Sequence, residues 1–336
     1  MPELRLDPLT GLRALIAGER ASRPGAFAPK IGERPPIDPE TDPFLEGHED
    51  RTPPEVWALR PGGGPPDSPG WTVRVVPNRY PALAPAEGPP PGDTDPLASG
   101  HGMPPLFVSR PAVGGHEVIV NTPKPLGTLV ELGPGGLVVA MDAWRSRIRA
   151  HDGSSYVHVI VNEGAPAGAS LPHSHAQLYA LPFVPAQVAR ERERFTAYFE
   201  RTQGRNLLAD LLQEEVRGRE RLVAVDDEAV VICPFASRMP YELMVIPRKP
   251  RAHFEDDGPL GASLLHDALA RLGRALGGMP PLNIWVRTAP SGAGEFCWHI
   301  AVVPRLAHLA GLEMGTGVSL NIVPPERAAE HLRNAT

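Results

Sequence analysis

The chain has 336 residues, 42% of them hydrophobic and 21% charged, which is enough for a packed interior spread over about two ordinary domains. Its 33 Lys and Arg against 39 Asp and Glu leave a net charge of −6, which argues against broad nucleic-acid binding. Only two cysteines occur, Cys233 and Cys297, and no run of 18 apolar residues; disulfide frameworks, cysteine-rich zinc sites and membrane spans are thereby disfavoured.

The opening MPELRLDPLTG carries no apolar signal core, so a cytoplasmic location is expected. Many of the 42 prolines fall between Pro53 and Pro105, a stretch that reads as ordered loop rather than helix. Next comes EVIVNTPKP (117–125), an apolar strand running into a proline turn. HVIVNEGAPAGASLP (158–172) is a strand followed by a turn of small residues, and LPHSHAQLYALP (171–182) is a strand that carries histidines. In 186–219 the residues Val188, Phe195, Phe199, Leu207, Leu208, Leu211 and Leu212 recur at helical spacing, and Gly204 divides the segment into two helices. ELMVIPRKP (242–250) repeats the first pattern, and 262–276 reads as a helix. LNIWVRTAPSGAGE (282–295) and EFCWHIAVVPR (295–305) then repeat the strand, turn and His-bearing strand. A last helix covers 324–333, where proline suits the first turn.

Glu117 precedes His175 by 58 residues, and Glu242 precedes His299 by 57. The same elements at the same spacing indicate an internal duplication, so the expected fold is α+β in two related halves. The second half has a single His299 and no HxH, which reads as a degenerate copy in which that histidine packs or hydrogen-bonds.

On a strand, residues two apart share a face, so His173, His175 and Gln177 are expected to look into one site. A polar sheet edge, a metal site and a nucleophile with its helpers all remain readings of such a set. Metal binding needs three or four convergent ligands, and the neighbourhood offers no obvious third. Nucleophilic use needs one neutral imidazole whose second nitrogen donates to a fixed acceptor, and a neighbouring amide could steady a phosphate under attack. The turn NEGAPAGAS (162–170) would let backbone N–H groups and the Ser170 hydroxyl approach a phosphate, with Asn162 near a ribose or phosphate oxygen. Phosphoryl-type transfer fits this set better than chelation.

NEGAPAGASLPHSHAQ resembles the active-site motif of the galactose-1-phosphate uridylyltransferase family of the histidine-triad superfamily. ELRLDPLTGLRALIAGERASRP, PFLEGHEDRTPPEV, VPNRYPAL, MPYELMVIPRK and GLEMGTG follow in the family's order along nearly the whole chain. The resemblance implies two tandem histidine-triad-like halves, each an antiparallel sheet with packed helices: a catalytic domain over 1–185 and a degenerate one over 186–336. It implies that His175 is the nucleophile, that Gln177 holds the phosphate and that Ser170 contacts phosphates, with His173 beside them. Asn162, Asn78, Arg20 and Arg23 would bind the nucleotide and its phosphates. Glu313 would bind hexose hydroxyls, reaching the partner's active site in a homodimer. The implied reaction moves UMP from UDP-glucose to galactose-1-phosphate, in two steps through a uridylyl-histidine. A phosphorylase acting on ADP-glucose or a dinucleoside polyphosphate, and a non-catalytic nucleotide-sugar sensor, are the alternatives on the same frame. No nucleic-acid or membrane partner is implied.

Departures from the family pattern bear on metals. The zinc-cysteine places hold Asp42 and Leu45, and a third ligand place holds Pro125, so only His173 survives, with His48 near the altered loop. At a second metal site Glu191 and His299 fill two places, while Arg287 and Ala301 occupy the others. Leu, Pro and Ala have no side-chain donor, so no metal cofactor is expected, with an altered site at Asp42 and His48 as the alternative. Ser174 stands at the usual middle proline, which is expected to loosen the backbone beside the nucleophile.

Overall fold

The computed structural model describes residues 1–22, 31–32, 34–85 and 106–335. In chain order it contains β1 (Glu3–Leu6), β2 (Arg13–Ile16), β3 (Trp57–Leu59), β4 (Val73–Pro77), β5 (Gly115–Val120), α1 (Gly133–Ala150), β6 (Tyr156–Glu163) and β7 (His175–Leu181). There follow α2 (Ala186–Thr202), α3 (Leu207–Gly218), β8 (Leu222–Val225), β9 (Ala229–Ile232), β10 (Leu243–Pro247), α4 (Ala262–Leu276), β11 (Leu282–Arg287) and β12 (His299–Pro304). The chain ends in α5 (Gly311–Thr316), β13 (Ser319–Asn321) and α6 (Pro325–Asn334).

β3 to β12 form one ten-stranded sheet in the order β3-β4-β5-β7-β6-β11-β12-β10-β9-β8, antiparallel at every pairing. The order reads as a near mirror about the β6–β11 junction. The first five strands make one histidine-triad-like half, the last five make the other, and α1 and α4 stand at matching places in each. A smaller sheet of β1, β2 and β13 joins the two ends of the chain.

Alternation of side chains assigns the two faces of the large sheet. Val159, Val161, Ala176, Leu178, Ile284, Val286, Ile300 and Val302 point to one face and pack with Leu137, Met141, Trp144 and Ile148 of α1 and Leu265, Leu269 and Leu272 of α4. This is the main core. On the opposite face of the second half, Phe195 of α2 and Leu207, Leu208 and Leu212 of α3 cover Val230, Ile232 and Ile246. The helix break expected at Gly204 is present: Gln203 and Gly204 take positive φ, and Asn206 caps α3 by accepting from the Leu208 and Ala209 N–H groups. Helix α1 was not anticipated, although Leu137, Ala140, Met141, Trp144 and Ile148 carry its spacing; a Gly-Pro-Gly-Gly start and paired valines mask it.

Among the described residues no such helices cover the same face of the first half. A wall of residues 43–53 stands over part of it, anchored by the buried Arg74 of β4, which bonds the Glu55 and Asp67 carboxylates and the Thr52 hydroxyl. This difference in cover places the candidate site.

Candidate active site

His175 opens β7 on the uncovered face. It lines a cavity of about 390 Å³ together with Phe44, Asn78, Arg79, Ser170 and Gln177. Its ring Nδ1 lies 2.8 Å from the His173 carbonyl oxygen. A carbonyl can only accept, so Nδ1 carries the proton and Nε2 is a bare lone pair. Nε2 has no partner among the described residues, and the residue lines the cavity. Burial outweighs the opposing hydrogen bond to the His173 carbonyl and holds the His175 pKa below the usual imidazole value, so the ring is neutral near pH 7. Phe44 packs against the ring at 5.3 Å between centroids. One imidazole thus has a fixed tautomer, a fixed plane and a free nitrogen beside a cavity.

His173 does not share this cavity. β7 begins only at His175, and the residue before the strand escapes the period-two rule. The His173 Nδ1 lies 2.6 Å from Asp42 Oδ2 and its Nε2 2.8 Å from the Thr122 carbonyl. Both neighbours accept, so both ring nitrogens donate and the imidazole is used up as a strut. The second oxygen of Asp42 accepts from the Phe44 N–H at 3.0 Å, which ties the wall to the segment that leads into β7 and His175. His48 donates to the Asp42 carbonyl oxygen at 2.7 Å. Neither nitrogen of His173 is left for a metal, Leu45 and Pro125 offer no donor, and the described residues hold no cluster of three His, Cys, Asp or Glu suited to one. The surviving residues do not fit the family's zinc.

The expectation of a loosened backbone at Ser174 is corrected. Its N–H donates to the Leu126 carbonyl at 2.7 Å, a bond proline could not make, and its hydroxyl oxygen accepts from Asn121 at 3.2 Å. The segment is tied down.

Asn162 lines a second cavity of about 540 Å³ on the same face, with Gln187, Asn283, Trp285, Arg305 and Glu313. Its Oδ1 accepts from Asn283 at 2.8 Å across the β6–β11 junction. Glu313 therefore faces Asn162 of its own chain, and its carboxylate accepts from the Ala310 N–H at 2.9 Å. Asn78 extends the β4–β5 pairing by donating its backbone N–H to the His116 carbonyl at 2.9 Å. Arg20 sits exposed on a 3-10 turn and does not line the His175 cavity; Arg23 lies outside the described residues. Cationic groups at that cavity come instead from Arg51 and Arg79. The sequence reading missed both, and also Phe44, although HEDRTPP and VPNRYP contain the two arginines.

In the second half, His299 opens β12 as His175 opens β7, and its Nδ1 points to the Cys297 carbonyl at 3.4 Å. Arg287 lies 3.1 Å from Glu191 of α2, and the cavity there is only about 40 Å³. Burial and the Arg287 charge push the His299 pKa down to about 3, while burial pushes the Glu191 carboxyl up to about 7. A guanidinium fills this pocket, so it too does not fit a metal.

The site is thus a doubled antiparallel sheet with one imidazole nitrogen, unpartnered among the described residues, beside a cavity. The family profile of "Galactose-1-phosphate uridyl transferase, N-terminal domain" matches residues 64–185, and a domain of unknown function, DUF4921, matches 137–335. An ADP-glucose phosphorylase of Arabidopsis thaliana is 32% identical over 349 aligned residues, covering all of this chain and 93% of that protein. A probable galactose-1-phosphate uridylyltransferase of Drosophila melanogaster is 30% identical over 76% of this chain and 68% of its own. The crystal structure of an Arabidopsis thaliana ADP-glucose phosphorylase with bound ADP-glucose superimposes with a TM-score of 0.80 at 29% identity, covering 100% and 99% of the two chains. This chain belongs to the galactose-1-phosphate uridylyltransferase family, among whose relatives are nucleotidyltransferases and a phosphorylase.

Proposed function

We propose that the chain is a nucleotidyltransferase in which Nε2 of His175 attacks the α-phosphorus of a nucleoside-diphosphate hexose. A P–N bond forms as the bond to the hexose 1-phosphate oxygen breaks. An oxygen of a phosphate or sugar-phosphate acceptor then attacks phosphorus, and the P–N bond breaks to restore the neutral ring. The observation that carries this reading is the Nδ1–H bond to the His173 carbonyl, which leaves Nε2 free beside the cavity. Gln177 and Ser170 supply uncharged donors and Arg51 and Arg79 positive charge, so positioning and electrostatics provide most of the rate. The leaving group is already a phosphate anion, so no strong general acid is needed. The ring bonds of His173 support catalysis without a metal at that place, and activity is expected to survive dialysis against a chelator.

For the donor we favour ADP-glucose, with inorganic phosphate as acceptor, giving ADP and glucose 1-phosphate. The full-length similarity to the Arabidopsis protein supports it. UDP-glucose with galactose-1-phosphate is the second reading, supported by the family profile and the uridylyltransferase relatives. Glu313 is placed by this reading at the hexose, within its own chain or from a partner in a homodimer. The test uses ADP-glucose and UDP-glucose labelled at the α-phosphate. Acid-labile label on His175 from one of them, discharged by its acceptor, is expected; turnover in His175→Gly at the wild-type rate would refute the nucleophile.

A further inference from the structure

The amide of Gln177 can be used in two opposite ways. Its nitrogen would stabilise a phosphate oxygen, and its carbonyl would repel one. Nothing in glutamine itself decides which end faces His175. The surroundings decide it here. The Tyr179 hydroxyl, two residues on and on the same face of β7, donates to Gln177 Oε1 at 2.9 Å. His116 of β5 approaches the same oxygen through Nε2 at 3.2 Å. The tautomer of His116 is fixed from its other side, because Nδ1 accepts the Ala82 N–H at 3.0 Å and so carries no proton. Nε2 must then carry it, and the contact to Gln177 is a donation. Asn78 Nδ2, 3.1 Å from the same Nε2, is a donor facing a donor; its own oxygen is engaged by the Tyr80 N–H, so its hydrogens are left for other acceptors.

The two donors are also locked to each other. His116 and Tyr179 sit directly opposite in the β5–β7 register and stack at 4.2 Å between centroids with planes 24° apart. Burial keeps the His116 ring below the usual imidazole pKa and the Tyr179 phenol above its own, so both hold the protonation that donation requires. With two hydrogen bonds on Oε1, the Gln177 nitrogen has no partner among the described residues, and the residue lines the cavity with His175.

We infer that His116 and Tyr179 are positioning residues that fix the Gln177 amide with its NH2 toward the phosphorus attacked by His175. The inference rests on the nucleotidyl-transfer reading above. It explains why a glutamine can serve where its two ends differ so sharply in effect: after a flip the Tyr179 hydroxyl could turn to accept, but the His116 Nε2–H would face the amide NH2, so His116 selects the orientation and Tyr179 completes it.

The experiment measures single-turnover formation of the nucleotidyl–His175 adduct and, separately, donor affinity. It uses the wild type, Tyr179→Phe, His116→Phe and Gln177→Ala, with each of the first two changes repeated in the Gln177→Ala background. Gln177→Ala is expected to slow adduct formation about 100-fold, the scale of losing one transition-state donor. Tyr179→Phe should slow it roughly 5-fold and His116→Phe roughly 10-fold, with donor affinity within about twofold. Neither should cause further loss once Gln177 is absent. His116→Gln, which keeps a donor, should recover much of the rate, and melting temperatures separate this from a folding defect. Equal losses with and without Gln177, or full rates in both variants while Gln177→Ala is slow, would overturn the inference and leave the nucleotidyl-transfer reading intact. No adduct in the wild type with either donor would overturn both.

Discussion

The two histidines that open matching strands have been put to opposite uses. His175 and His299 each turn Nδ1 toward the carbonyl two residues back, at 2.8 and 3.4 Å. Beyond that shared gesture the halves diverge. Around His175 the sheet face is left open, and the next residue on that face is Gln177. Around His299, α2 closes the face, Arg287 and Glu191 fill the space, and the residue at the place of Gln177 is Ala301. On the proposed reading, what is kept away from the second nitrogen decides whether an imidazole can act as a nucleophile. A covered face turns the same residue into core.

The largest expected contrast comes from the histidines themselves. His175→Ala should lower turnover by at least about 10³-fold while leaving the thermal midpoint nearly unchanged. His299→Ala should leave turnover per folded molecule within about twofold and cost about 2 kcal/mol of stability, read from denaturant unfolding. Loss of turnover in His299→Ala comparable to His175→Ala would erase the distinction between the halves.

The next contrast is electrostatic. Arg287→Ala strands Glu191 in a covered pocket and should destabilise by about 3–5 kcal/mol at pH 8, with adduct formation by the folded fraction retained. A well-folded variant would show that the ion pair contributes little.

Titration sharpens the comparison on the catalytic side. The His175 nitrogen attacks only when unprotonated, and burial lowers its pKa below 6.5. The value of kcat/KM for the donor should therefore be level from pH 6.5 upward. It should fall about tenfold per unit below the folded pKa, which lies under 6.5. An acid limb centred above 6.5 would contradict a buried, neutral ring.

The smallest effect concerns the segment before β7. Ser174→Pro removes the N–H bond to Leu126 and the hydroxyl contact to Asn121, and should cost about 1–2 kcal/mol. A gain in stability would restore the expectation that serine loosens this backbone.

Much of this was legible in the residues. The 58- and 57-residue spacings express β5-to-β7 and β10-to-β12, and the apolar periods of 186–219 and 262–276 are α2, α3 and α4. His175, Gln177 and Ser170 do meet at one cavity. His173 was misplaced because alternation applies only inside a strand, and β7 starts two residues later. Asp42 and Arg51 could be judged only once residues 42–53, more than 120 residues upstream, were folded onto β7, and Arg79 only once the end of β4 was placed beside the same cavity, contacts that no local pattern encodes. Asn162 is expected near the nucleotide and Glu313 at a partner's active site; within this chain the two line one cavity next to that of His175.

The β6–β11 seam has a consequence for any attempt to separate the halves. Five consecutive residue pairs, from Leu282–Glu163 to Val286–Val159, stitch the two together along their backbones. Cutting the chain after β7 would bare β6 as a long unpaired edge, rich in β-branched residues and ready to seize another strand. Within one chain the second half holds that edge at an effective concentration no free partner could match.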